Sequence, residues 1–254
     1  MQVQLVKVVE NKKIADKIYK LTLEGSIVNE MNTAGQFVNI KVGKGREFLL
    51  RRPISICEIN KEEQTFVIVY RVNGEGTKCI SKLNIGEMVD VLGPLGKGYD
   101  ITTLIKGETA LLVGGGIGVP PLYELAKKFN EKGVKTIHVL GFNNEKDVFY
   151  KERFEKLGTT YVATADGTYG EKGFVTDIIK KYNIQYDKYY SCGPLAMLKA
   201  LKNMDSEHIG YISLEERMAC GVGACYACVC NKIDGMVSRV CYDGPVYKAD
   251  EIAV

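Results

Sequence analysis

Leu112-Val113-Gly114-Gly115-Gly116-Ile117-Gly118-Val119-Pro120-Pro121 joins an apolar run to a helix-forming one through four glycines, and two prolines open the helix. The residues before it, Thr109–Val113, read as a strand, and Pro120–Lys132 reads as a helix. Glycine lets a backbone come close to a ligand, and proline in a first helical turn gives up no helical hydrogen bond. The N–H groups at such a helix start face outward and attract an anion. Gly114, Gly115, Gly116 and Gly118 are therefore read as a phosphate-cradling turn. The plain alternative is a turn whose glycines serve only close helix-on-strand packing; the strand before and the helix after favour the phosphate reading.

Toward the C-terminus, strand and helix patterns keep alternating: Lys135–Gly141, Tyr150–Leu157, Tyr161–Thr164, Val175–Tyr182, Lys188–Ser191 and Pro194–Asn203. This predicts an open parallel α/β sheet wrapped by helices over residues 101–207. Ser191-Cys192-Gly193-Pro194 stands at the end of its last strand. Open sheets bind ligands at the carboxyl ends of their strands, so Cys192 and Gly193 join the candidate nucleotide site; a buried strand-end thiol is the alternative. The loop Gly141–Asp147 offers two acids and no arginine, which favours NAD over its 2′-phosphorylated form. His138 is expected inside a strand and His208 in solvent.

Toward the N-terminus the rhythm is different. Gln4–Glu10, Ile18–Glu24, Gln36–Lys41, Ser55–Glu58, Thr65–Arg71 and Met88–Leu92 are short strand patterns between turns, which predicts a small antiparallel barrel over residues 1–100. Two segments in it read as anion-binding devices: Arg51-Arg52-Pro53-Ile54-Ser55-Ile56, and Tyr70-Arg71-Val72-Asn73-Gly74-Glu75-Gly76-Thr77. Gly74 and Gly76 allow close approach, and Thr77 is expected to cap a helix running through Leu83. Singly, Arg52 could be a solvated strand arginine and Gly74-x-Gly76 an ordinary turn. Cys57 and Cys79 are expected to be core thiols.

The third unit, residues 208–254, contains Arg217-Met218-Ala219-Cys220-Gly221-Val222-Gly223-Ala224-Cys225-Tyr226-Ala227-Cys228-Val229-Cys230, with Cys241 after a segment able to form a hairpin. The spacing C-x4-C-x2-C followed by a distant cysteine is that of a plant-type [2Fe-2S] cluster. Gly221 and Gly223 permit the positive φ angles that such a wrap needs. A zinc knot usually offers two short Cys-x-x-Cys pairs where this chain has one, and four plain buried thiols are the remaining alternative. The metal ligands are read as Cys220, Cys225, Cys228 and Cys241, with Cys230 outside the set.

Among 254 residues, 46% are hydrophobic and 26% charged, enough for a sizeable core spread over several domains. The formal net charge of +3 is too small and too dispersed for a nucleic-acid or anionic-membrane partner. No apolar run is long enough to span a bilayer, and Met1–Leu5 lacks a signal-peptide pattern. A cytoplasmic protein is expected, consistent with cysteines that show metal spacing rather than disulfide pairing.

The order of these motifs resembles the ferredoxin–NADP reductase superfamily, where Arg-x-x-Ser on a barrel strand and a Gly-x-Gly-Thr helix start bind FAD. The resemblance implies that Arg52 meets the FAD diphosphate, Ser55 bonds the flavin near N5, and Gly76 with Thr77 receives phosphate oxygens. It adds Pro53, Ile54, Val69, Tyr70 and Arg71 as flavin neighbours, and puts Cys192 beside the nicotinamide. Ile54 stands where the pattern carries an aromatic residue, so Tyr70 is the candidate cover for the flavin. The whole chain, its cluster loop most selectively, resembles the electron-transfer subunits of the type B dihydroorotate dehydrogenases. That resemblance implies FAD, one [2Fe-2S] cluster, NAD, and an FMN-bearing catalytic partner in a heterotetramer with two copies of each subunit. Electrons would run from the partner's FMN through the cluster and FAD to NAD, serving pyrimidine biosynthesis. The chemistry is coherent, because NAD takes electrons as a hydride pair, a cluster takes them singly, and a flavin does both. No acid or base is placed for an organic substrate, so oxidation of dihydroorotate is expected on the partner. The alternatives are a reductase for ferredoxin or a sulfur acceptor and, from another class, a redox-sensing binding module.

Overall fold

The computed structural model describes residues 1–254 apart from 44, 46 and 206. Strands β1 (Gln2–Ala15), β2 (Ile18–Glu24), β3 (Phe37–Ile40), β4 (Arg52–Asn60), β5 (Thr65–Arg71) and β6 (Met88–Leu95) close an antiparallel barrel in the order β1-β2-β5-β4-β3-β6. Alternation along the strands turns Val6, Val8, Leu21, Leu23, Val38, Ile40, Phe66 and Ile68 into its core. Helix α1 (Glu75–Ile80) lies between β5 and β6. It starts three residues earlier and ends three residues sooner than the sequence predicts. Gly74, at φ 117°, is the N-cap, and Thr77 sits inside the first turn, its Oγ1 accepting from the Asn73 N–H at 2.9 Å. A glycine cap needs no side-chain oxygen, so the expected cap at Thr77 is corrected.

Beyond the barrel come β7 (Thr109–Gly115), α2 (Pro120–Glu131), β8 (Lys135–Phe142), α3 (Lys151–Glu155), β9 (Thr159–Thr164), β10 (Glu171–Lys172), α4 (Val175–Lys181), β11 (Lys188–Cys192), α5 (Leu195–Met204) and β12 (Ile209–Ser213). With β15 (Val246–Lys248) they build a seven-stranded sheet of order β10-β9-β8-β7-β11-β12-β15, parallel except for β15. The hairpin expected between Cys228 and Cys241 is present as β13 (Val229–Asn231) and β14 (Val237–Arg239). Residues beyond 207 do not stand apart from the sheet, since β12 pairs along β11 from Lys188↔Ile209 to Cys192↔Ser213. Ile212 is fully buried there, and its backbone groups find partners on both sides.

Helix α2 is wedged between sheet and barrel. Leu122, Leu125, Ala126 and Phe129 join a core that also contains Ile18, Cys57, Val67 and Val69 of the barrel. Each fully buried Leu, Ile, Val or Phe among them contributes about 1.5–3 kcal/mol. Glu124 on the same helix is buried, accepts the Ile59 N–H at 3.1 Å and pairs with Lys127 at 3.1 Å. Desolvation raises its carboxyl pKa against the pull of Lys127. A second core seats the C-terminal loop on both other units: Phe37 and Leu95 of the barrel and Val113 and Ile212 of the sheet pack with Cys228, Val240 and Cys241.

Candidate functional site

Strand order reverses at β7, with β8 on one side and β11 on the other, so the carboxyl ends of β7 and β11 open a crevice. Pairing puts Val113 opposite Ser191 and Gly114 opposite Cys192, which brings together two motifs about 75 residues apart in the chain. The glycines permit this contact. A Cβ on Gly118 would stand 2.3 Å from the Cys192 carbonyl oxygen, and one on Gly115 2.8 Å from Pro194 Cδ. Gly193, at φ 156°, passes 3.0 Å from Gly115 Cα, measured from the Cβ it lacks. Cys192 is buried, and desolvation pushes its thiol pKa well up, so it stays protonated. His138 is buried on β8, stacked edge-on to Phe154, with burial lowering its pKa to about 3. His208 is exposed, as expected, with Nδ1 3.0 Å from the Asp205 carboxylate and its ring against Tyr186.

At the barrel rim, β3 and β4 pair Phe37↔Ser55, Val38↔Ile54, Asn39↔Pro53 and Ile40↔Arg52. The Arg52 guanidinium reaches from β4 over the start of α1, where a Cβ on Gly76 would lie 2.4 Å from its Nε. It donates to the Leu50 carbonyl at 2.6 Å and lies over the Phe48 ring. Arg71, at the end of β5, extends toward the glycine turn, with Nη2 3.7 Å from a Cβ built on Gly116; its buried Nε has no partner. An orphaned buried guanidinium N–H suits an anionic ligand. These donors, with the open backbone at Gly74, fit a dinucleotide diphosphate. Ser55 is half-buried on the face shared with Phe37, and Ile54 points into the barrel core. Tyr70 does not take up the covering role: it is 2% exposed, stacked on Tyr19, and its hydroxyl donates to Asn11 at 3.2 Å. Alternation on β5 turns it into the barrel, while Val69 faces the α2 core.

In the C-terminal loop, Gly221 (φ 72°) and Gly223 (φ 81°) adopt the left-handed conformation that the wrap requires. N–H groups point at sulfur: Val222 and Ala224 donate to Cys220 Sγ at 3.4 and 3.3 Å, Gly223 to Cys241 Sγ at 3.2 Å, and Cys241 to Cys228 Sγ at 3.4 Å. Burial resists ionisation of Cys220, but those N–H donors and the Cys225 thiol prevail and bring its pKa down to about 6. Desolvation and the Cys228 thiol push Cys241 up to about 12. The sulfurs thus stand as two pairs, Cys220 with Cys225 and Cys228 with Cys241. Two pairs suit two irons, and the donor set fits the cluster. Arg239 holds the loop by donating to the Gly223 carbonyl at 2.9 Å while paired with Asp243 at 2.9 Å. Cys225 is exposed, whereas Cys230 bonds to Tyr247 beside the set. Asn39, a polar residue inside the apolar strand Phe37–Ile40 that the sequence reading did not single out, is buried beside this loop.

A closed barrel, a parallel nucleotide sheet with its switch-point crevice and a thiolate loop between them define a reductase of the ferredoxin–NADP reductase type. Residues 112–203 match the family model for an oxidoreductase NAD-binding domain, and residues 215–253 match the iron-sulfur cluster binding domain of dihydroorotate dehydrogenase B. The dihydroorotate dehydrogenase B (NAD(+)) electron transfer subunit of Fusobacterium nucleatum is 58% identical over 100% of both chains. That of Bacillus pumilus is 56% identical over 97% of this chain and 96% of its own. The chain belongs to the family of dihydroorotate dehydrogenase B electron transfer subunits. In structure it is similar to a chain of the NADH-dependent reduced ferredoxin-NADP oxidoreductase, with TM-score 0.87 and 30% identity over 98% of this chain and 90% of that one. An Amycolatopsis cytochrome P450 reductase shares the fold, with TM-score 0.66 and 22% identity over 80% of this chain and 65% of that one.

Proposed function

We propose that this chain is the electron-transfer subunit of an NAD-linked dihydroorotate dehydrogenase in pyrimidine biosynthesis, passing electrons from the FMN of a catalytic partner to NAD+. When bound, the [2Fe-2S] cluster supplies one-electron transfer, and FAD converts single electrons into the hydride that NAD+ accepts. What supports the reading is the gathering of three candidate sites around one rim: β4 bears Arg52 and Ser55, β7 and β11 form the crevice beside it, and the cysteine loop packs on Phe37 and Leu95 of the same barrel.

In this reading Arg52, Arg71 and the backbone at Gly76 and Thr77 hold the FAD diphosphate, with Pro53 and Ser55 on the rim strand and the side chains of Ile54, Val69 and Tyr70 packed behind it. Gly114, Gly115, Gly116 and Gly118 receive the NAD diphosphate, while Cys192 and Gly193 border the nicotinamide. Cys220, Cys225, Cys228 and Cys241 ligate the irons. The functional division is residues 1–100 for FAD, the sheet from 101 through Ser213 for NAD, and the following loop and hairpin for the cluster, with β15 returning to the sheet. Exposed Cys225 and its neighbours Tyr226 and Tyr242 face the partner, in an assembly of two copies of each subunit. Eight unpaired cysteines fit the reducing cytoplasm, and among the described residues no helix is long and apolar enough to cross a membrane.

The test is reconstitution with the FMN-containing subunit. The complex should form NADH in a dihydroorotate-dependent way, neither protein alone should do so, and Cys225→Ser should abolish coupling while sparing the partner's reduction of an artificial dye. A native partner lacking FMN would replace this reading with a reductase serving ferredoxin or a sulfur acceptor.

A further inference from the structure

Asn39, on β3, is 1% exposed, and both polar atoms of its carboxamide lack a hydrogen-bond partner. Leaving a buried polar group unpaired costs about 1–3 kcal/mol, so a native position of this kind calls for a partner. The surroundings show where that partner belongs. Asn39 pairs with Pro53 of β4 on one side and Leu92 of β6 on the other, which puts it on the barrel face that carries Phe37, next to the strand bearing Arg52 and Ser55. On its open side lies the cysteine loop: a Cβ on Gly221 would stand 2.1 Å from Asn39 Nδ2 and 3.5 Å from Leu95 Cδ1. Gly221 follows the ligand Cys220 directly and holds φ 72°. The glycine thus serves the loop twice, in its turn and in admitting the carboxamide.

We propose that Asn39 is a positioning residue that donates a hydrogen bond from Nδ2 to a sulfur of the cluster and so raises its reduction potential. The inference rests on the reading that this loop holds a [2Fe-2S] cluster. Reduction adds one negative charge that spreads onto the sulfurs. A donor fixed in a dry site stabilises that charge more than it stabilises the oxidised form. The N–H groups of Val222, Gly223 and Ala224 reach the thiolates from within the loop. Asn39 is a donor that comes from the barrel, on the side where electrons pass toward FAD.

The experiment is a redox titration of the purified subunit in complex with its catalytic partner, reading the cluster by electron paramagnetic resonance and FAD by absorbance. Asn39→Leu, of similar size and without a donor, should keep the cluster signal and lower its potential. The expected change is about a tenfold fall in the reduced-to-oxidised ratio at fixed potential, about 59 mV for a one-electron couple. The FAD potential should stay where it is. If Asn39→Leu fails to assemble a cluster, Asn39→Ala carries the same expectation. A cluster potential unmoved in the variant, or a shift confined to FAD, would overturn the proposal. Wild-type protein without a cluster signal would instead bring down the assignment on which it stands.

Discussion

The guanidinium of Arg52 lies over Gly76 so closely that a Cβ there would stand 2.4 Å from Nε and 2.6 Å from Nη2. Arginine and glycine come from different elements, β4 and α1, and meet where a diphosphate would be held. Gly76→Ala should leave the backbone and stability nearly unchanged, because the obstructing atoms end a flexible side chain that can swing aside. The displaced guanidinium should weaken FAD binding by roughly 10-fold or more, the scale of a lost hydrogen bond to a charged group. Arg52→Ala should do the same. Fluorescence titration of apoprotein with FAD measures both, and unchanged affinity in the pair would move the diphosphate site to Arg71.

Gly118→Ala meets a different obstacle. Its Cβ would lie 2.3 Å from the Cys192 carbonyl oxygen and 2.6 Å from Gly193 Cα, both backbone atoms of the neighbouring turn. The two motifs must separate to admit it. NADH oxidation with an artificial acceptor should show a KM raised by at least about tenfold, the effect of roughly 1.4 kcal/mol. FAD and cluster content should remain full; a normal KM would show that the nucleotide does not use this crevice.

Serine at Cys220, Cys225, Cys228 or Cys241 should strip or perturb the cluster absorbance, whereas Cys230→Ser should preserve it, since that thiol is turned to Tyr247. Loss of the cluster in Cys230→Ser with retention in Cys241→Ser would reverse the ligand assignment.

Burial pushes the Cys57 thiol pKa from 9.0 up to about 12, against the pull of its hydrogen bond with Tyr150. Between those values the folded chain keeps a proton that the unfolded chain has released. The stability that this thiol contributes is therefore full below pH 9 and is lost as pH rises toward 12. Chemical denaturation at pH 8 and pH 10.5 should show this loss, and Cys57→Ala, though less stable throughout, should lose less between the two. An equal loss in both proteins would remove Cys57 as a source of the alkaline instability.

Much of this was open to a reader of the chain. The barrel strands show themselves because each alternates between a core and an outer face, and the parallel strands because their apolar runs recur between helix patterns. The cysteine spacing is equally legible, because a ligand loop that must wrap two irons is local and carries its own glycines. The start of α1 was misread for a local reason: Gly74 at φ 117° caps without a side chain, which hides the boundary behind Thr77.

What the sequence determined by itself is most of the barrel and sheet elements and the local ligand groups, since periodicity, turn chemistry and short-range spacing act within a few residues of one another. Only the tertiary structure decided what meets what. It carried β12 past residue 207 to pair with β11, buried Tyr70 against Tyr19, and set Asn39 of the barrel against Gly221 of the cysteine loop. Backbone pairing and core packing join residues far apart in the chain, and satisfying buried polar and apolar groups is a condition on the whole fold, which no single stretch expresses.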